Sequence, residues 1–268
     1  MTDPFNWLAC PHCTSPLSRE GGTLHCATGH SFDVARQGYV NLLGHTAPKN
    51  ADTPAMLDAR ARVLASGLFD PVADAVAAAA STATRILEVG AGTGFYLARA
   101  LDALPQAAGL ATDVSVAAAK RAARAHPRAA SVVADTWAGL PVAEHAVDAL
   151  LCVFAPRNPA EFSRVLAPGG SLVVVVPLPS HLQEIRARHG LLDVPDDKAG
   201  AVAAAFPGWP VSATAVERTV DLSAEQARDL IAMGPNAFHA APEQVDGGTC
   251  TVAVTVLRLT QPGSRHVG

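Results

Sequence analysis

The sequence lacks the features that mark membrane-spanning and exported proteins. No apolar run is long enough to cross a membrane, and the run from Leu172 to Val176 has only the length of a strand. The first residues contain no basic region followed by an apolar one, so no signal peptide is predicted. The expectation is therefore a cytoplasmic protein that does not contact a membrane.

Cysteine and positive charge are also scarce. The five cysteines, three near the N-terminus and two scattered, are an odd number that does not fit a disulfide framework. The formal net charge of −4 gives no sign of a general nucleic-acid-binding protein, and DNA is not expected as a partner. Hydrophobic residues, in contrast, make up 49% of the 268 residues, which suffices for a substantial core in one large domain or two unequal ones.

A glycine-rich turn between a strand and a helix is the most informative motif. The apolar run from Ile86 to Val89 is followed by a G-x-G-x-G turn, and Phe95 then begins a stretch of helix formers. The glycines are Gly90, Gly92 and Gly94. Glycines allow the backbone to approach a ligand closely, and the N-terminus of a helix offers free N–H groups to it. Because the spacing is not G-x-G-x-x-G, a dinucleotide ligand is less favoured.

The acid before this turn makes it resemble motif I of class I S-adenosylmethionine (SAM) methyltransferases. Glu88 holds that position. In that family the glycines face the methionine part of SAM, and an acid at the end of the second strand binds the ribose hydroxyls. Asp113 stands where this second acid is expected, and Asp135, after the third strand, stands where the family contacts the adenine end. The alternative for Asp135 is a turn residue without a ligand.

Strands and helices alternate regularly from Arg85 onward. The run from Val147 to Phe154 is almost wholly apolar, which is typical of a strand buried on both faces of a parallel sheet. The alternation predicts an α/β fold of the class I SAM-methyltransferase type, with a Rossmann-like doubly wound sheet. Two longer strands, over residues 213–222 and 249–260, predict an antiparallel hairpin at the sheet edge. Helices are predicted over residues 54–66, 95–103, 115–126, 158–166 and 224–232.

A cysteine–histidine pattern near the N-terminus predicts a structural zinc site. The pattern is C-x2-C-x12-C-x3-H, formed by Cys10, Cys13, Cys26 and His30. Three thiolates and one imidazole suit a tetrahedral Zn²⁺ with no open position for water. A segment of about 40 residues buries little apolar surface alone, so the metal would explain how this small zinc ribbon folds. His12 and His25 are competing ligands, and the other interpretation of Cys10 and Cys13 is a redox dithiol.

Several polar side chains follow the strands, where ligands bind in sheets of this kind. Asn158 follows the fourth strand, and His181 follows the fifth and is either a pocket residue or a surface residue at a helix start. His239 lies in the segment 233–239, predicted to be a loop over the pocket, in which an aromatic residue could stack on a base. Asp135, Asn158 and His239 are the candidate catalytic residues, and none of the three is favoured. Phe69 either belongs to the core or lines the cofactor pocket.

The zinc pattern and the stretch from Gln37 to Leu43 together resemble the 23S rRNA guanine-N1 methyltransferase family. Phe154-Ala155-Pro156 and Met233-Gly234-Pro235 are also similar to it. The resemblance implies methyl transfer from SAM to N1 of a guanine, at position 748 rather than 745, in a 23S rRNA hairpin of the peptide exit tunnel. It also implies macrolide resistance of the tylosin type. The family's SAM contacts correspond to Phe69, Gly94, Phe95 and His181, and its zinc ligands to the four residues above.

Three regions follow from these patterns. Residues 1–45 are predicted to form a zinc-ribbon RNA-recognition domain, 46–84 a helical linker and 85–268 the SAM-dependent methyltransferase domain. A homodimer that cradles the RNA hairpin is left open. Two other functions also stay open, namely a methyltransferase for a small molecule such as a quinone or natural product, and a non-enzymatic zinc-ribbon RNA-binding protein. The ribbon argues against the first, and the intact SAM motif argues against the second.

Overall fold

An eight-stranded sheet forms the centre of the protein. A computed structural model describes residues 3–191, 193–234 and 245–263. The strands are β1 (Leu17–Glu20), β2 (Thr23–Cys26), β3 (Ser31–Asp33), β4 (Tyr39–Asn41), β5 (Arg85–Val89), β6 (Ala108–Asp113), β7 (Ala129–Val133), β8 (Val147–Val153), β9 (Leu166–Pro177), β10 (Val211–Leu222) and β11 (Gly248–Thr260). The helices are α1 (Pro54–Ala65), α2 (Asp70–Ala79), α3 (Phe95–Ala103), α4 (Val116–Ala122), α5 (Pro159–Val165), α6 (Gln183–His189), α7 (Lys198–Ala204) and α8 (Ala224–Ala232).

The main sheet has the order β10-β11-β9-β8-β5-β6-β7-β4. The strands from β4 to β9 in this order pair in parallel, whereas β11 is antiparallel to β9 and to β10. One hydrophobic cluster joins the sheet to α2, α3 and α8, and a second joins it to α5 and α7. The sheet is thus covered on both faces, and the predicted doubly wound fold with an antiparallel edge hairpin is confirmed.

The predicted elements agree with the structure except in four places. The helix predicted over residues 115–126 ends at Ala122, while β4, α6 and α7 were not predicted. Strand β4 has only three residues, too few for a periodic pattern, and it forms because it pairs in parallel with β7. None of the helices in the described residues combines the length and apolarity needed to span a membrane.

The N-terminal ribbon is an antiparallel sheet of the order β1-β2-β3, in which β2 forms one hairpin with β1 and another with β3. Its N-terminal segment joins the main domain directly, because the Ala9 N–H donates to the Pro141 carbonyl at 3.0 Å and the Ala143 N–H donates to the Trp7 carbonyl at 2.8 Å. Trp7 is buried in the hydrophobic cluster on this face of the sheet. The division into domains at residue 45 stays a proposal, although β4, on the N-terminal side of it, belongs to the main sheet.

An ion pair holds the loop on which the ribbon packs. The Glu161 carboxylate accepts a hydrogen bond from the Leu140 N–H at 2.7 Å and pairs with Arg164 at 2.6 Å. Arg164 also donates to the carbonyls of Leu140 and Val142, and Val142 forms a β-bridge with Leu8. The Arg164 guanidinium holds the pKa of Glu161 below its usual range.

We expect Glu161→Gln to lower the free energy of unfolding by about 1 kcal/mol at neutral pH, because the charge-assisted bonds are lost. A carboxylate whose pKa is lowered by folding stabilises the protein above the pKa of the unfolded chain, and this stabilisation disappears as the pH falls through the folded-state pKa. The difference in Tm between the wild type and the variant should therefore be largest near neutral pH and shrink below about pH 4. Thermal unfolding at several pH values tests this, and a difference independent of pH would contradict it.

Candidate active site and metal centre

The glycine turn between β5 and α3 has a backbone that only glycine adopts easily. Gly90, Gly92 and Gly94 all have left-handed φ values, +61°, +55° and +77°. A Cβ at Gly90 would lie 2.7 Å from the Cβ of Ala155, and one at Gly94 would lie 2.9 Å from the Cβ of Ala125. Both neighbours are short side chains that cannot rotate away. The turn is therefore fixed in shape and packs tightly on two other segments.

The two acids of the SAM motif hold this turn in place. The Glu88 carboxylate accepts a hydrogen bond from the Leu97 N–H at 3.1 Å, in the first turn of α3. Asp113, at the end of β6, accepts from the N–H groups of Gly92 at 2.9 Å and Ser115 at 2.8 Å. Burial raises the pKa of Glu88 to about 8 and also raises the pKa of Asp113. The structure thus brings the predicted motif residues together at the carboxyl ends of β5 and β6, where Phe95 starts α3.

An arginine of α1, which the sequence did not single out, closes over the glycine turn. Arg60 donates to the carboxylate of Asp52 at 3.2 Å and to the Met233 carbonyl at 2.7 Å. Its guanidinium is the nearest group to the Cβ position of Gly92, at 2.6 Å. The Ser115 hydroxyl donates to the Asp52 carbonyl at 2.7 Å. Arg60 therefore links α1, the glycine turn and the end of α8 above the candidate cofactor site.

Three aromatic rings meet at the carboxyl ends of β8 and β9. His181 lies 5.7 Å from Phe154 and 6.3 Å from Phe69, measured between ring centroids. Phe69 and His181 are buried, whereas Phe154 is exposed. The His181 Nδ1 accepts a hydrogen bond from the Ala253 N–H at 3.2 Å, and burial lowers the pKa of His181 to about 4. The imidazole is therefore neutral at physiological pH and carries its proton on Nε2.

The candidate catalytic residues have different surroundings. Asn158 is the N-cap of α5, where its side chain accepts from the Glu161 N–H at 3.3 Å and donates to the Thr136 carbonyl at 2.9 Å. The structure thus gives Asn158 a structural task, and its catalytic role stays an untested prediction. Asp135 accepts from the Trp137 N–H at 2.8 Å and lies 3.5 Å from the His45 Nε2. His239 lies outside the described residues.

The N-terminal cluster has the dimensions of a tetrahedral zinc site. The candidate ligand atoms of Cys10, Cys13, Cys26 and His30 all lie within 4.8 Å of one another. The Sγ atoms of Cys13 and Cys26 are 3.7 Å apart, and the His30 Nδ1 is 3.5 Å from the Cys10 Sγ and 3.4 Å from the Cys26 Sγ. A tetrahedron with the usual Zn–S and Zn–N distances has edges of about 3.8 Å between sulfurs and about 3.5 Å between sulfur and nitrogen. The residues therefore fit the metal.

Hydrogen bonds lower the pKa of two of the three thiols, Cys13 and Cys26, and so favour the ionised form that a metal requires, whereas burial raises the pKa of the Cys10 thiol. Hydrogen bonds from Ser15 and Thr28 lower the pKa of the Cys13 thiol to about 5. Within the described part of the chain, the group of potential metal ligands contains neither His12 nor His25, the two competing candidates. Cys10, Cys13, Cys26 and His30 would supply all four ligands of a tetrahedral ion and leave no position for water, which is typical of a structural rather than a catalytic metal.

Comparison with known proteins decides the family. Residues 8–46 match the zinc-ribbon family described as RlmA, N-terminal, and residues 86–170 match a methyltransferase domain family. The chain is 44% identical over 247 residues to the 23S rRNA (guanine(748)-N(1))-methyltransferase of Streptomyces fradiae, with 89% of this chain and 88% of that protein covered. The chain belongs to the 23S rRNA (guanine-N1)-methyltransferase family. It is a SAM-dependent methyltransferase with one zinc ion, as the sequence motifs predicted.

Two further comparisons agree with this assignment. A relative from Micromonospora griseorubida is 43% identical to this chain over 262 residues, and the match covers 89% of each protein. Its name assigns it provisionally the same 23S rRNA guanine-N1 methyltransferase activity. A solved structure concerned with the conversion of a disulfide bond into a thioacetal group during echinomycin biosynthesis matches 73% of this chain and 83% of its own, with 17% identity and a TM-score of 0.50. At this identity the match supports only the fold of the methyltransferase.

Proposed function

We propose that this enzyme methylates N1 of guanine 748 of 23S rRNA. The observation that carries the proposal is the match along almost nine tenths of the chain to the Streptomyces fradiae enzyme, whose name specifies that nucleotide. The proposal includes a target in the hairpin of the peptide exit tunnel and resistance to tylosin-type macrolides, both of which the sequence resemblance implies. The cytoplasm, where ribosomal RNA is assembled, is the proposed location.

We assign the cofactor site to the carboxyl edge of β5, β6 and β9. The glycine turn and Phe95 would bind the methionine part of SAM, Asp113 the ribose and Asp135 the adenine end. Phe69 and His181, whose ring centroids are 6.3 Å apart, would also line the site. Glu88 is buried and bonded to α3, so its proposed role is to hold the turn rather than to contact SAM. The zinc ligands are the four residues of the N-terminal cluster.

The residues at this edge fit a direct methyl transfer. SAM supplies an activated methyl group, so that fixing the base and the methyl carbon in line can contribute up to roughly 7–11 kcal/mol to lowering the barrier. Guanine N1 loses a proton in the reaction, and a base must accept it. His181 cannot be that base, because its Nδ1 is occupied by the Ala253 N–H and its Nε2 already carries the proton. Asp135 remains a candidate within the described residues, as the alternative to its proposed contact with the adenine end of SAM.

The ribbon is proposed to bind the RNA. Its candidate cations are Arg19, His25, Arg36 and Lys49. Arg19 already pairs with Asp3 at 3.3 Å and lies 5.3 Å from the centre of the Phe5 ring, so it is held at the surface of the ribbon. RNA hairpins are recognised largely by shape, backbone contacts and stacking of splayed bases. The docking of the ribbon on the catalytic domain would thus fix the distance between the bound hairpin and the methyl group.

Primer extension on 23S rRNA that lacks the modification tests the proposed nucleotide. Methylation of N1 blocks Watson–Crick pairing, so reverse transcriptase should stop at guanine 748 after incubation with the enzyme and SAM. An rRNA in which adenine replaces guanine 748 should show no stop, whereas an rRNA in which adenine replaces guanine 745 should still show the stop at 748. A stop at 745 in the unsubstituted rRNA would show that guanine 745 is the target instead. Loss of tylosin susceptibility in a sensitive host that expresses the enzyme tests the proposed resistance.

A further inference from the structure

Phe154 contacts two residues of the proposed cofactor site, Phe69 and His181, and has an unusual backbone conformation. It follows the last residue of β8 and has a φ of +53°, in the left-handed region. A bulky residue rarely takes this strained conformation, which persists only where the surrounding structure holds it and which is frequent at active sites. The next residue, Ala155, touches the glycine turn at Gly90. The strained residue is therefore fixed directly against the SAM motif.

The ring of Phe154 packs against two other rings and is itself exposed. It is stacked with His181 at an interplanar angle of 25°, and it forms a T-shaped contact with Phe69 at 6.3 Å between ring centroids. Phe69 is 1% exposed and His181 is 8% exposed, whereas Phe154 is 44% exposed. Phe154 is therefore the ring of the three that a ligand can reach, at the carboxyl end of β8.

We propose that Phe154 is the platform on which the target guanine stacks when it leaves the RNA helix. The inference rests on the proposed function and adds the residue that binds the base. A guanine in a hairpin must be splayed out before its N1 can reach a methyl group, and an aromatic face is what stabilises a splayed base. Phe69 and His181 are buried and pack against Phe154, so the exposed part of the Phe154 ring is where a flat group can bind. The strained backbone fixes the orientation of this ring.

Two variants of Phe154 distinguish stacking on the target guanine from packing against the cofactor site. Phe154→Leu keeps an apolar side chain against His181 but removes the flat face, and Phe154→Tyr keeps the face. The single-turnover rate of methyl transfer to 23S rRNA at saturating SAM should fall about 5- to 150-fold in the leucine variant, the usual effect of losing one base-stacking contact. The tyrosine variant should retain the wild-type rate, and SAM affinity by calorimetry should be unchanged in both. Val211→Ala, an exposed apolar residue on the edge strand β10, is the unaffected control.

The outcomes distinguish a failure of the Phe154 proposal from a failure of the proposed function. If the leucine variant retains the wild-type rate, or if its SAM affinity falls in parallel with the rate, Phe154 is not the platform and packs the cofactor site instead. If the wild type binds SAM but does not methylate 23S rRNA, the proposed function itself fails, and the platform fails with it. Failure of the platform alone leaves the wild-type methylation intact.

Discussion

Replacing Cys26 by alanine should remove the zinc and unfold the ribbon. Cys26 is buried, and its sulfur lies within 3.7 Å of both the Cys13 sulfur and the His30 ring nitrogen. Structural zinc contributes about 10–16 kcal/mol of binding free energy in small zinc modules, which exceeds what the three short strands of this ribbon supply. The ribbon shares a hydrophobic cluster with the main sheet, so its loss should also lower the Tm of the catalytic domain.

The measurement is zinc content by mass spectrometry, together with thermal unfolding. Cys152→Ala is the matched control, because Cys152 is also a buried thiol but lies in β8, away from the metal cluster. The control should keep one zinc per chain and lose only about 1 kcal/mol of stability, the cost of a small cavity. A Cys26→Ala protein with a full zinc content and an unchanged Tm would show that this residue is not a ligand.

Replacing Gly94 by alanine should abolish SAM binding at ordinary concentrations. Gly94 has a φ of +77°, and the added Cβ would lie 2.9 Å from the Cβ of Ala125 and 3.0 Å from the Cα of Ala122. Relief of this clash must move the start of α3 or the end of α4, because backbone and a rigid methyl group form the obstacle. A shift of about 1 Å in a positioning element can cost 100-fold in function. The dissociation constant for SAM should therefore rise by about two orders of magnitude or more.

Gly208→Ala separates the clash from the backbone strain. Gly208 has a φ of +80°, close to that of Gly94, but a Cβ there meets nothing within 4 Å. Both variants share the left-handed penalty of about 1–2 kcal/mol on stability, so only Gly94→Ala should lose SAM affinity. Calorimetric titration with SAM provides the comparison. If the two variants bound SAM with equal affinity, the tight packing around Gly94 would not be required for SAM binding.

The fold could be predicted where local signals were strong. The prediction of α8 was correct over residues 224–232 because Ser223 and Gln226 form a capping box, a signal carried by four neighbouring residues. In contrast, α6 begins after Leu182, which has a left-handed backbone and no side-chain capping bond. The sequence offered a helix start at His181 only as one of two interpretations, and His181 is a buried residue two positions before the helix. Strand β4 depends on pairing with β7, which comes about ninety residues later in the sequence, and so it requires the assembled sheet.

In the candidate site, too, residues that form a local sequence pattern were predicted, and residues that depend on long-range contacts were not. Glu88, Asp113 and the glycines were found because their spacing along the chain is itself the motif. Arg60 was missed because its function arises from contacts across the fold, including a bond to Met233, 173 residues away in the sequence. Phe154 was noticed only as part of a family motif, since no sequence pattern predicts that a phenylalanine adopts a left-handed backbone.

The most direct test of the central claim uses SAM with a deuterated methyl group and unmodified 23S rRNA, followed by nucleoside mass spectrometry. Methylation at N1 predicts deuterated 1-methylguanosine, close to one per rRNA molecule, and no deuterated 2-methyl or 7-methyl isomer. The Gly94→Ala enzyme should form none under the same conditions. Label at another atom of guanine, or no label in RNA from an enzyme that binds SAM normally, would contradict the assignment of N1 of a 23S rRNA guanine as the acceptor.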